Sequence, residues 1–125
     1  MNLQDFFNDN ENIQEFKQGT TILSKGASGN LMYIILDGEV DIWIENNLVE
    51  SLGPGDIIGE MSVIDLELRS ATITAKSDCH LVAIDEEYFL FLVEESPFFS
   101  LRIMKTLVKK LRKMNMLWNT TKQDS

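Results

Sequence analysis

One cysteine, one histidine and two prolines are all the chain holds of those residues, and each scarcity removes a class of protein. Cys79 alone can form no internal disulfide, and a lone thiol points to a reducing compartment, so a cytoplasmic location is expected. No lysine or arginine stands next to Cys79 to lower its pKa, and an inert thiol is the expectation. His80 alone supplies too few imidazoles for the metal centres of double-stranded β-helix oxygenases and isomerases. A Ser-His-Asp or Cys-His arrangement would have to use that same histidine. His80 is therefore read as structural, with no catalytic residue, no metal ligand and no catalytic cofactor assigned, and the chain is expected not to be an enzyme.

Cations are scarce over most of the length. Residues 1–95 carry nineteen acids against Lys17, Lys25, Arg69 and Lys76, whereas residues 96–125 carry Asp124 against Arg102, Lys105, Lys109, Lys110, Arg112, Lys113 and Lys122. The net charge of −9 repels nucleic acid as a whole, yet an acidic body bears a basic terminal segment, and Arg69 is the one arginine of that body. Long apolar runs are missing too. No stretch approaches the roughly 18 apolar residues of a spanning helix, and the N-terminal residues Met1-Asn2-Leu3-Gln4-Asp5-Phe6-Phe7 lack a leader's basic and apolar regions. No membrane role is expected.

What is present suits an ordinary folded domain. With 125 residues, 44% hydrophobic and 25% charged, residues 1–125 are expected to form one domain that needs no disulfide or metal. From 14 to 84 the sequence reads as short strands cut by turn residues, the pattern of an all-β sandwich or barrel. Expected strands cover 20–23, 31–36, 39–45, 48–52, 71–75 and 80–84. Val40, Ile42 and Ile44 alternate with Asp41, Trp43 and Glu45, so that strand should bury one face, while Met32-Tyr33-Ile34-Ile35-Leu36 is apolar on both faces and should sit deeper. Asp37-Gly38 between them reads as a hairpin turn.

At Asp85 the pattern changes. Asp85 followed by Glu86-Glu87 reads as an N-cap with acids in the first turn, and Ser96-Pro97 repeats the signal with proline at the first helical position. Two helices are expected over about 85–118. The second places Leu101, Met104, Val108, Leu111, Met114 and Trp118 on one apolar stripe with lysines and arginines opposite, and residues beyond about 119 read as a polar frayed end. The aromatics Phe6, Phe7, Phe98, Phe99 and Tyr88 are read as packing residues. The basic stripe reads as a solvated face, with a homodimer seam along Leu101, Met104, Val108 and Leu111, an acidic partner, or phosphate-bearing surfaces as alternatives. DNA binding would require a helix-turn-helix after this helix, so none is expected of this chain alone.

One segment looks like a site. Gly59-Glu60-Met61-Ser62, followed nine residues after the glutamate by Arg69-Ser70-Ala71-Thr72, groups a glycine, a carboxylate, hydroxyls and an arginine. Gly59 lets backbone and ligand approach closely, and residues 61–64 can begin a helical turn whose free N–H groups face an anion. Arg69 can grip two phosphate oxygens at once, and Glu60 can accept hydrogen bonds from a sugar hydroxyl. Taken alone the spacing is equally that of a turn glycine beside a surface ion pair.

The two segments match a recognisable pattern. Ile58-Gly59-Glu60-Met61-Ser62 and Leu68-Arg69-Ser70-Ala71-Thr72 resemble the phosphate-binding cassette of the cyclic nucleotide-binding domain family. Phe16-x-x-Gly19, Gly26, Met32-Tyr33-Ile34-Ile35 and Gly38-x-Val40 look like its upstream signature, so the resemblance covers about residues 10–118. Leu68 stands where the family usually has proline and Ile58 where it often has phenylalanine; neither removes a polar ligand contact. The resemblance implies a mainly β, double-stranded β-helix or jelly-roll barrel with flanking N- and C-terminal helices. It implies that Arg69 binds the exocyclic phosphate oxygens and Glu60 the ribose 2′-hydroxyl. Gly59, Met61, Ser62, Ser70 and Ala71 then belong to the cassette, and Trp118 on the last helix is a candidate to stack on the base. Implied ligands are cAMP or cGMP, with cAMP favoured, in a non-catalytic regulatory domain that signals through its C-terminal helix. The alternative is a scaffold of the same fold that binds nucleotide weakly or not at all and acts through protein contacts.

Overall fold

A computed structural model of the chain describes residues 2–7, 12–26, 29–60 and 71–123, with side chains described as far as residue 116. A short helix α1 (Leu3–Phe6) precedes eight strands: β1 (Ile13–Phe16), β2 (Thr21–Leu23), β3 (Leu31–Asp37), β4 (Val40–Ile44), β5 (Asn47–Leu52), β6 (Ile57–Ile58), β7 (Thr72–Ala75) and β8 (Cys79–Asp85). Helices α2 (Glu86–Glu95) and α3 (Pro97–Gln123) follow. The strands form two four-stranded antiparallel sheets, ordered β1-β8-β3-β6 and β2-β7-β4-β5. The mainly β jelly-roll architecture with flanking helices is the one the sequence implied.

The core lies between the sheets. Tyr33, Ile35, Ile58, Cys79, Leu81 and Ala83 from the first sheet meet Leu23, Val40, Ile73 and Ala75 from the second. β3 and β8 bury their other face as well, through Met32, Ile34, Val82 and Ile84, and α1 lies against β3 with Leu3 and Phe7 buried. This double burial explains the unbroken apolar run at residues 32–36, because a strand with no wet face has no reason to alternate.

The expected hairpin at Asp37-Gly38 does not form. β3 pairs with β8 and β6, while β4 pairs with β5 and β7, so this turn carries the chain from one sheet to the other. Gly38 has φ +82°, and a Cβ there would strike the Asp78 carbonyl and come within 2.8 Å of the Cys79 Cα. Two sheet-crossing corners, β3–β4 and β7–β8, thus press together at a point that admits no side chain. The hairpin falls one connection later, with Ile44 opposite Asn47 across β4 and β5.

Two compact units, Met1–Leu90 and Phe91–Ser125, divide the chain within α2. Both helix starts match their sequence signals. The Tyr88 amide donates to Asp85 Oδ1 at 2.7 Å, and the Phe99 amide donates to Ser96 Oγ at 3.1 Å. α3 continues past the expected frayed end to Gln123. In the second unit Leu92, Phe99 and Ile103 are buried, whereas Leu101, Met104, Val108, Leu111 and Met114 are exposed. The helix therefore has two apolar faces. Phe99 and Ile103, one turn apart, make the covered one, and the regular stripe read from the sequence is the uncovered one. Among the described residues no helix is long and apolar enough to cross a membrane.

Candidate functional site

β6 is only two residues long, yet it fixes where the candidate segment begins. Ile57 and Ile58 pair with Ile34 and Tyr33 of β3 and are both buried. Gly59 follows with φ +78°, a conformation that costs other L-residues roughly 1–2 kcal/mol. Glu60 comes next in helical conformation, 1% exposed, and it is the one charged side chain buried among the described residues. A carboxylate taken out of water must be matched by donors or cations, since desolvation otherwise costs several kcal/mol or more.

Met61, Ser62, Arg69 and Ser70 lie outside the described residues, as do the expected helical turn at 61–64 and the loop 65–68. The description resumes at Ala71, half-buried, which leads into β7 between β2 and β4. The segment thus leaves the first sheet at β6 and enters the second at β7. Trp118 lies on α3, with its side chain outside the described residues.

β7 is also held by its hydroxyls. The Lys25 amide donates to Thr72 Oγ1 at 3.1 Å, and the Trp43 indole N–H donates to Thr74 Oγ1 at 3.0 Å. Lys25 Nζ in turn pairs with Glu45 Oε1 at 2.5 Å. Sequence reasoning missed this group. A backbone donor is the same for every residue but proline, so the one visible signal was the threonine pair at alternate positions of β7.

Cys79 and His80 are the first two residues of β8. Cys79 is fully buried, and burial, then Asp37 and Asp78, pushes its thiol pKa up, away from thiolate chemistry. His80 stands in a cross-strand row with Glu15 of β1 and Asp37 of β3. Its Nδ1 lies 2.8 Å from Asp37 Oδ1 and its Nε2 3.5 Å from Glu15 Oε2. The hydrogen bond to Asp37 is the main reason that its pKa is raised.

The sequence profile of the cyclic nucleotide-binding domain family matches residues 13–96, from β1 through α2 and across both ends of the segment just described. The chain belongs to the cyclic nucleotide-binding domain family. Domains of this family are regulatory nucleotide-binding modules. Over 106 residues the chain is 28% identical to a CRP-like cAMP-activated global transcriptional regulator of Mycobacterium tuberculosis, covering 81% of this chain and 47% of the relative. The crystal structure of the Thermus thermophilus catabolite activator protein is similar at TM-score 0.79 and 27% identity, covering 88% of this chain and 54% of that one. A structure from a cyclic-GMP-dependent signalling pathway of bacterial phytopathogenesis is similar at TM-score 0.72 and 26% identity, covering 80% and 84%. The cyclic nucleotide-binding domain spans about half the length of the curated relatives it matches.

Proposed function

We propose that this domain reversibly binds a 3′,5′-cyclic nucleotide, cAMP in preference to cGMP, without chemistry on it, and passes the binding event to α3. Glu60 carries the reading: a buried carboxylate, placed by a positive-φ glycine at the start of the cassette, suits capture of a ribose 2′-hydroxyl. Arg69 grips the cyclic phosphate, the backbone and hydroxyls of Gly59, Met61, Ser62, Ser70 and Ala71 complete the cassette, and Trp118 is assigned to the base. Ligand binding shifts the hinge between Asp85 and Ser96, which includes the division between the two units. The preference for cAMP is supported by the cAMP-activated relative; Ser70 is compatible with either base.

Calorimetric titration with both nucleotides is the test. Wild type should bind cAMP more tightly than cGMP. Arg69→Ala, which deletes a two-pronged charged contact, should weaken binding by about a hundredfold or more. Absence of binding to either nucleotide at high micromolar concentration refutes the reading, and unaltered binding by Arg69→Ala refutes the phosphate role.

A second reading, a scaffold of this fold acting through protein contacts, is favoured by one observation. Leu101, Met104, Val108 and Leu111 of α3 are each close to half exposed or more, an apolar surface of the kind that marks an interaction site. A homodimer or another protein would cover it. Capture of a partner that is indifferent to nucleotide and to Arg69→Ala would favour this reading over the first.

A further inference from the structure

The Lys25–Thr72 hydrogen bond ties the last residue of the cassette segment, to which no ligand contact is assigned, to the turn after β2. Thr72 is the first residue of β7, three positions after Arg69 in the sequence. Its hydroxyl accepts from the Lys25 amide at 3.1 Å across 47 residues of chain. Lys25 and Gly26 form the turn that leaves β2, and Gly26 has φ +81°, a left-handed conformation that favours glycine. The same lysine reaches Glu45 in the turn between β4 and β5, where Glu45 adopts φ 56°, a left-handed conformation unusual for a non-glycine residue. On the other side of β7, Trp43 holds Thr74. The strand's own threonine hydroxyls are therefore held from both sides, by the turn after β2 and by Trp43 of β4.

We propose that the Lys25 amide and the Thr72 hydroxyl form a clasp that fixes the start of β7, three residues after Arg69 in the sequence, and thereby strengthens cyclic nucleotide binding. This rests on the cyclic nucleotide reading above and adds positioning residues to it. The physical basis is preorganisation. Backbone next to a ligand-gripping residue must be ordered when the ligand binds, and a bond that orders it beforehand removes part of that entropic cost from the binding step. The contribution of one hydrogen bond is modest, so the expected effect is a graded loss of affinity, well short of the loss on deleting Arg69.

The test is a double-mutant cycle on the whole chain. Thr72→Val removes the acceptor while keeping a β-branched residue that suits a strand. Lys25→Pro removes the donor, and because it also removes the ion pair to Glu45, Lys25→Ala, which keeps the amide, serves as its reference. Thr72→Val against wild type, and Lys25→Pro against Lys25→Ala, should each weaken cAMP binding roughly three- to tenfold, and on the Lys25→Ala background the two losses should not add, because both delete the one bond that the reference keeps. Thr72→Ser, which keeps the hydroxyl, should restore most of the affinity. A structural role alone would lower the melting temperature of the nucleotide-free protein and leave affinity unchanged. Wild-type affinity in both single variants, or fully additive losses, overturns the proposal. Hydrogen exchange without nucleotide separates this outcome from failure of the parent reading. Amides within 69–72 should exchange faster in Thr72→Val and Lys25→Pro, with β8 unaffected, whether or not wild type binds cAMP. Unchanged exchange there overturns the clasp.

Discussion

β3 and α3 are both rich in apolar residues, and they use them in opposite ways. In β3, Met32, Ile34 and Ile35 have no exposed surface, whereas in α3 Leu101, Met104, Val108 and Leu111 keep between 46% and 60% of theirs. Composition and periodicity predict which residues share a face in each element. They do not predict whether anything covers that face. β3 is central in its sheet and lies between layers, so its burial follows from topology. The stripe on α3 is the more regular of that helix's two apolar faces, and it is the one left open. The contrast teaches that an apolar run is buried when its strand lies between layers of its own chain, while an equally apolar stripe on a helix stays open where no such layer meets it.

The largest effect should come from the corner that joins the two sheets. Gly38→Ala forces a side chain into backbone at Asp78 and Cys79 and a positive φ onto alanine, a combined penalty on the order of 3 kcal/mol or more. Urea denaturation should show a large fall in midpoint, and a shift of a few tenths of a kcal/mol would mean that the corner relaxes. Equivalent truncations then sharpen the comparison between strand and helix. Ile34→Ala, at zero exposure, should cost about 2–5 kcal/mol. Leu111→Ala, at 60% exposure, should stay within about 0.5 kcal/mol at micromolar protein concentration. A Leu111→Ala cost that rises with protein concentration would show a second copy covering the stripe.

Much of this architecture was legible before any coordinates. The turn glycines, the double-sided apolar run at 32–36 and the caps at Asp85 and Ser96 each leave a local chemical mark, and the structure follows them. The Asp37-Gly38 hairpin failed because a positive-φ turn is equally suited to a hairpin and to a corner between sheets, and only long-range pairing with β8 decides between them. Exposure of the α3 stripe was illegible for a similar reason, since periodicity cannot say which of two apolar faces is covered. At the site, Gly59 and Glu60 could be singled out from residue type and order. The grip of Lys25 on Thr72 could not, because its donor is a backbone amide.

The smallest predicted effect concerns the outer face of the first sheet, where His80 links β1 and β3 to β8. Asp37, and more weakly Glu15, raise the folded-state pKa of His80 above its ordinary 6.5. The folded protein thus holds that proton more tightly than the unfolded chain. Its contribution to stability is fully present below about pH 6.5 and is lost as pH rises through the raised value. Glu15 has the opposite sign: its pKa is lowered, chiefly by the hydrogen bond from Lys17, so its contribution is present above the ordinary 4.5 and is lost as pH falls. Both groups are well exposed, so solvent and salt screen them and the amplitude should be small. His80→Asn should flatten the decline in stability on the alkaline side of pH 6.5 while leaving the acid limb intact. Nucleotide affinity should not change with it, because the row Glu15-His80-Asp37 meets β3 at its last residue, whereas β6, which leads to Glu60, pairs with β3 at Tyr33 and Ile34. A pH profile of urea midpoints that is the same for wild type and His80→Asn would show that the row contributes nothing to the folded state.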